Sequence, residues 1–332
     1  MKTSRSRVAA VLLVVLLATI ALLSARAGAQ EPFPTRPVTI WVAFPPGGGT
    51  DILTRALAEG AEKILGQKVL VINKPGATGV VATAEVVKAK PDGYTLVANT
   101  DTAITRAPHL RELDYDPFRD LTYIARLGRY KLAFVVREGG PFKTWRDVVD
   151  WAKKNPGQLT FGHPGIGSTP GLVMPRIAAK EGFTFKSVPF AGDAPGLTAL
   201  LGGHLVMSGN SSVSVTGYVQ AKRLRVMLVN EKEGLEYAPD ALTFEKAGYD
   251  VESSTSVIVL GPRGIPPAVA ERLEKAIVEA TKAEPFLGVA RKTELIHGDP
   301  LTGRELMEYL RKVGANYEQL IKESGLFKSQ KK

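Results

Sequence analysis

Cysteine is absent from all 332 residues. That excludes disulfides, thiolate metal sites, cysteine nucleophiles and any lipid attached through a cysteine. Histidine is scarce: the four are His109, His163, His204 and His297, and no two fall within one helical turn. A histidine-built metal centre is therefore not expected. Basic stripes interleaved with aromatics are missing, so nucleic acid is not an expected partner. Beyond the N-terminal region no apolar run is long enough to span a bilayer. PGGG at 46–49 is not followed by Gly-Lys-Ser/Thr, and GxGxxG does not occur, which excludes the common phosphate and dinucleotide loops. GxSxG and HExxH are absent as well. No cofactor, no metal and no enzyme activity are expected.

What remains is a globular composition, with 44% hydrophobic and 23% charged residues. The length suggests about two domains. Lys2, Arg5 and Arg7 form a basic start, Val8 to Leu23 is free of charge, and Ala27-Gly28-Ala29 has the small-x-small pattern of a signal-peptidase site. These features predict a secretory signal over 1–29 cleaved after Ala29, and an exported mature protein. The apolar stretch falls short of the ~20 residues that a membrane anchor needs. Removing 1–29 leaves 39 basic and 33 acidic residues, with part of the surplus at Lys328, Lys331 and Lys332. A mild positive field of this kind helps attract anions.

The mature chain reads as strand, loop, helix, repeated. Val38 to Phe44 is apolar and β-branched, as suits a strand covered on both faces. Pro45-Pro46 and Gly47-Gly48-Gly49 turn the chain, and Thr50 and Asp51 are N-cap types before a helical periodicity that Gly66 ends. Val69 to Asn73, a helix over Val80 to Lys90 and Tyr94 to Ala98 complete a βαβαβ run, which implies a parallel sheet. A long loop is expected from Asn99 to Pro117. Strands follow at Leu132 to Val136, Leu159 to Phe161, Val188 to Phe190, Leu224 to Val229 and Val257 to Leu260. Helices are expected from Thr144, from Ser168 or Thr169, through Leu201, over Pro267 to Lys282 and over Gly303 to Ser324.

The recurring unit carries the chemistry. A strand that runs through a glycine loop into a helix leaves free backbone N–H groups at the sheet edge. The helix start adds a partial positive charge of about +0.5. Such a start is an anion site that needs no Arg or Lys. The unit occurs at Phe44–Asp51 and again at Gly162–Thr169. Two such loops on two halves of a chain can face each other across a cleft.

TRPV (35–38), FPPGGGTD (44–51), NKPGATG (73–79), KPDGYTL (90–96), YDPFRDLTYIA (115–125), FGHPGIGSTPGL (161–172), VPFAG (188–192) and ALLGGHL (199–205) stand in order along the chain. This set resembles the Bug family, the extracytoplasmic solute receptors of tripartite tricarboxylate transporters, over about 34–326. The resemblance implies a type II periplasmic-binding-protein fold: two α/β lobes joined by two crossing strands, with a ligand cleft between them. Lobe 1 would comprise 31–131 plus 256–332 and lobe 2 132–255, with crossings near Leu127–Val136 and Ser253–Leu260. The implied function is capture of a small di-/tricarboxylate or aromatic acid and its delivery to the large and small membrane subunits, by a monomer. A ligand sensor feeding a signalling membrane protein is the alternative, and a secreted enzyme a more remote one.

Residue by residue, the resemblance points to Phe44, Pro45, Gly47, Gly48, Thr50 and Asp51 in the first loop, and to Gly165, Gly167, Ser168 and Thr169 in the second. Thr100 and Thr102 match the polar loop after the third strand; Ala191, Gly192 and Asp193 match a third loop. Asp51 is expected to cap its helix rather than touch an acid, because its charge would repel a carboxylate. Each hydroxyl can bond a carboxylate oxygen for ~1 kcal/mol net. The chain departs from the family where two Asp residues are common: Val206 and Asn210 stand there, and Asn210 suits a hydroxyl or a neutral carboxyl region better than a ligand amino group. Gly171 replaces a family His. Arg106 lies in an altered segment after the third strand, either reaching the cleft to clamp a distal carboxylate or lying on the surface. Trp41, Trp145 and Trp151 are expected in the core.

Overall fold

The computed structural model describes residues 33–323, apart from Glu252 and Asp299. The expected leader at 1–29 and Lys328, Lys331 and Lys332 lie outside the described residues. Among the described residues, no helix is long and apolar enough to cross a membrane.

Strand β1 (Val38–Val42) forms where β-branched residues alternate, but only Val38, Ile40 and Val42 are buried. Thr39 and Trp41 face a partly open side, so β1 is fully covered on one face rather than both. The Trp41 ring lies 3.7 Å under the Lys74 ammonium instead of in the core. Helix α1 (Gly49–Leu65) buries Leu53, Leu57, Ala61 and Leu65 in one stripe at four-residue spacing. Its N-cap is Gly48, not Thr50 or Asp51, which fall in the first turn. Strand β2 (Val69–Asn73), helix α2 (Val80–Val87) and strand β3 (Thr95–Thr100) follow. Helix α2 stops at Val87, short of the expected Lys90. The expected long loop contains two short helices, α3 (Thr102–Thr105) and α4 (Ala107–Leu110).

Strand β4 (Leu121–Arg129) passes through Tyr130 and Lys131 into β5 (Leu132–Arg137). Helix α5 (Trp145–Lys154) starts at Thr144, as expected, with a reciprocal capping box between Thr144 and Asp147. Trp145 is buried and donates from its indole nitrogen to Tyr249 Oη at 2.7 Å, whereas Trp151 is only half-buried. Next come β6 (Leu159–His163), α6 (Thr169–Glu181), β7 (Phe185–Pro189), α7 (Asp193–Leu201), β8 (Met207–Ser211) and α8 (Ser212–Gln220). The chain ends with β9 (Leu224–Val229), β10 (Leu242–Thr243), β11 (Ser256–Pro262), α9 (Pro267–Thr281), α10 (Glu284–Lys292) and α11 (Gly303–Glu323).

The strands form two sheets within one compact unit that begins at Arg36. One has the order β2-β1-β3-β11-β4, the other β10-β9-β5-β8-β6-β7. Both are mixed, not purely parallel. In the first, β11 runs antiparallel to its neighbours β3 and β4; in the second, β5 runs antiparallel to β8 and β9. The antiparallel strand enters each sheet directly from the other one, so each crossing supplies an internal strand. The crossings also bond to each other: the Tyr130 amide donates to the Thr255 carbonyl at 2.9 Å, and Ser256 pairs with Arg129.

Helix α11 anchors the first sheet. Leu306, Leu310, Val313, Tyr317 and Leu320 recur at three- and four-residue spacing and are all buried. Leu310 is fully buried, so Leu310→Ala should lower stability by about 2–5 kcal/mol in urea denaturation, through lost transfer energy plus a cavity.

Candidate functional site

The two glycine loops reach one cavity of about 50 Å3. From the first-sheet side it is lined by Phe44, Gly48, Gly49, Thr50, Thr78, Thr100 and Thr102. From the second come Pro164, Ser168, Thr169, Pro170, Asp193 and Ser211, and from the crossings Tyr130, Leu132 and Thr255. Nine of these residues carry hydroxyls, and none is Lys, Arg or His. Helix α1 begins at Gly49 with no side-chain cap, and α6 begins at Thr169 with none either, although Ser168 occupies its N-cap position. Two helix starts with uncapped amide donors therefore meet at one wall, one from each sheet.

Several side chains hold this geometry. Asp51, buried in the first turn of α1, accepts the Gly47 amide at 2.9 Å, the Asn73 amide at 2.8 Å and the Arg55 guanidinium at 3.0 Å. Burial works to raise its pKa, but these donors outweigh it and hold the carboxyl below the ordinary value. Asp51 braces the loop from behind and does not line the cavity. Its Asn73 partner also donates to the Phe44 carbonyl at 3.0 Å, which ties β2 to the same loop. In the second loop a ring N–H of His163 donates to the Gly165 carbonyl at 3.0 Å, and Ser168 Oγ lies 3.2 Å from the same nitrogen. Burial, the main cause, lowers the His163 pKa, with the Gly165 bond opposing it.

Asp193 is the single carboxylate on the wall. Its Oδ2 accepts Ser211 Oγ at 2.7 Å and Ser214 Oγ at 2.6 Å, and its Oδ1 accepts Asn210 Nδ2 at 3.3 Å. Asn210 is 1% exposed and stands behind Asp193 rather than on the wall. Pro45, Gly47, Gly165, Gly167, Ala191 and Gly192 frame the site without lining it. Arg106 is neither a clamp in the cleft nor a surface residue: it is 0% exposed and pairs with Asp101 at 2.8 Å.

The loops of the two sheets already touch. Thr78 Oγ1 donates to the Ile166 carbonyl at 3.0 Å, and Thr169 Oγ1 lies 2.6 Å from Thr255 Oγ1. Thr50 Oγ1 bonds Tyr130 Oη at 3.0 Å, and burial pushes the Tyr130 phenol well above its usual range, so it stays protonated. Gly49 has no room for a side chain, since a Cβ would sit 2.5 Å from Ser211 Oγ. Tyr130 and Thr255 were not among the residues expected at the site; the signal for them was position, because each lies in an expected crossing. Gly49 and Thr78 stood inside quoted motifs, and Ser211 beside Asn210. Among the described residues no cluster of three or more His, Asp or Glu side chains could hold a metal ion.

The family described as tripartite tricarboxylate transporter family receptor matches residues 53–326. A UPF0065 protein of Cupriavidus necator is 37% identical over 251 residues, covering 75% of this chain and 76% of that protein. A Rhodopseudomonas palustris protein solved with adipate superposes with a TM-score of 0.81 at 25% identity, over 88% of this chain and 98% of its own. The periplasmic binding protein BugD superposes with a TM-score of 0.85 at 24% identity, over 90% and 100% of the two chains, and shares the fold.

The depressed Asp51 pKa sets a pH dependence. Its stabilising contribution is present above the unfolded value of about 3.9 and is lost as pH falls through the lower folded value. Asp51→Asn should therefore destabilise the protein at pH 7 in urea denaturation, and the gap to the unsubstituted protein should narrow below about pH 4.

Proposed function

The chain belongs to the tripartite tricarboxylate transporter receptor (Bug) family, and on that premise we propose that it captures a small carboxylate between its two sheets and delivers it to the membrane subunits of such a transporter. One observation carries the reading: two uncapped helix starts, one per sheet, converge on a hydroxyl-lined cavity that has no basic side chain. Backbone amides and hydroxyls supply the donors that a carboxylate needs, and the helix ends supply the field. The R. palustris neighbour was solved with adipate, a dicarboxylate, which supports this ligand class. The family and its neighbours are receptors, consistent with binding rather than catalysis.

In this reading lobe 1 comprises 31–131 plus 256–332, lobe 2 comprises 132–255, and the protein works in the periplasm as a monomer after cleavage behind Ala29. The acid first meets the amides of Gly49 and Thr50. Rotation about the crossings then brings up Thr169 and the loop around Gly167. Closure is favoured only by as much as the acid prefers the closed arrangement. The membrane subunits read the closed form.

Purified protein should be stabilised against heat by at least one acid from a panel of adipate, succinate, malate, citrate, glutamate and benzoate. Absence of any shift across that panel would overturn the proposal. Gly167 has φ +82, and a Cβ there would meet Leu110 Cδ1 at 2.3 Å. Gly167→Val should therefore block closure and abolish the acid-induced shift while circular dichroism stays unchanged; a retained shift would show that this loop is not the clamp.

A further inference from the structure

We propose that Arg106 is a positioning residue that fixes the Thr102 hydroxyl as a hydrogen-bond donor to a ligand carboxylate; this deepens the binding reading above and rests on it. Arg106 is 0% exposed, and its Nη1 donates to Asp101 Oδ1 and to Thr102 Oγ1, both at 2.8 Å. Its Nη2 donates to the Ser254 carbonyl at 2.6 Å, and the guanidinium stacks 3.7 Å from the centre of the Tyr317 ring. Three elements thus hold the cation in one orientation: α3, the crossing before β11, and α11.

A guanidinium has donors only. Thr102 Oγ1 must therefore accept from Arg106, and its own proton points away from that bond. Thr102 lines the cavity, and among the described residues no bond exists in which its hydroxyl donates. The hydroxyl consequently offers a proton to whatever occupies the cavity. A carboxylate oxygen fits that demand, whereas an N–H group meets a proton facing a proton. Asp101 balances the charge of Arg106, so the buried cation contributes direction rather than a net field. Anion selectivity arises here without any basic group on the wall.

The test uses paired probes on the full-length mature protein by calorimetry: adipate with adipamide, succinate with succinamide, and benzoate with benzamide. The unsubstituted protein should prefer an acid over its amide. Arg106→Met combined with Asp101→Asn, which leaves no lone buried charge, should reduce that preference about tenfold. Arg106→Lys, which keeps a cationic donor, should retain most of it. Thr102→Val should lose the preference as the double variant does, and it carries the test if the double variant does not fold. Equal losses for acid and amide, or an unchanged ratio, would reduce Arg106 to a structural role and overturn the inference while leaving the binding reading intact. Failure of the unsubstituted protein to bind any of these acids would instead overturn that reading, and this inference with it.

Discussion

An α-helix begins with amide protons that its own turns cannot satisfy. At α1 and α6 no side chain takes up that role, and both starts face one cavity. The remaining features of the site follow from this unmet demand. Glycine at position 49 lets the first helix start come within reach of Ser211. Hydroxyls line the wall because they can donate without bringing a competing charge. Asp51 carries its charge behind the loop, where Arg55 and Asn73 occupy it. By contrast α5, remote from the cavity, has a full capping box between Thr144 and Asp147.

The electrostatics follow a layered arrangement. Hydroxyls, amides and the one carboxylate of Asp193 form the wall, and the other ions stand in the next layer, each with its partner. Arg106 pairs with Asp101 and Asp51 with Arg55, while the carboxylate of Asp193 is saturated by serine hydroxyls. Burying an ion without such partners would cost several kcal/mol. A wall without basic side chains, its one carboxylate taken up by serines, over paired ions avoids that cost and still presents oriented donors.

Much of this was legible in the residues. The glycine loops, the βαβαβ run and the cap at Thr144 follow from local chemistry, and the structure reproduces them. The ordered motifs carried the two-lobed fold. Of the residues expected at the site, Phe44, Gly48, Thr50, Thr100, Thr102, Ser168, Thr169 and Asp193 line the cavity. The misses share a physical cause. Thr78, Tyr130 and Thr255 come to the wall from segments distant in sequence, and only tertiary packing reveals that. Arg106 was misplaced because a lone arginine usually stays in solvent; its burial depends on Asp101, Ser254 and Tyr317, of which two come from far along the chain. The antiparallel sense of β5 and β11 is not visible in their residues, since direction is a property of the whole sheet.

The exchange of strands between the sheets bears on how the chain acquires its structure. Strand β3 ends at Thr100, but the neighbour that must fill the gap between β3 and β4 does not begin until Ser256. During synthesis the entire second sheet emerges before the first can be completed. Closing so long a loop is entropically costly, and topologies rich in distant pairings assemble slowly. Until β11 arrives, two strand edges stand open to other chains. The half of the molecule that is made first is thus the half that is finished last.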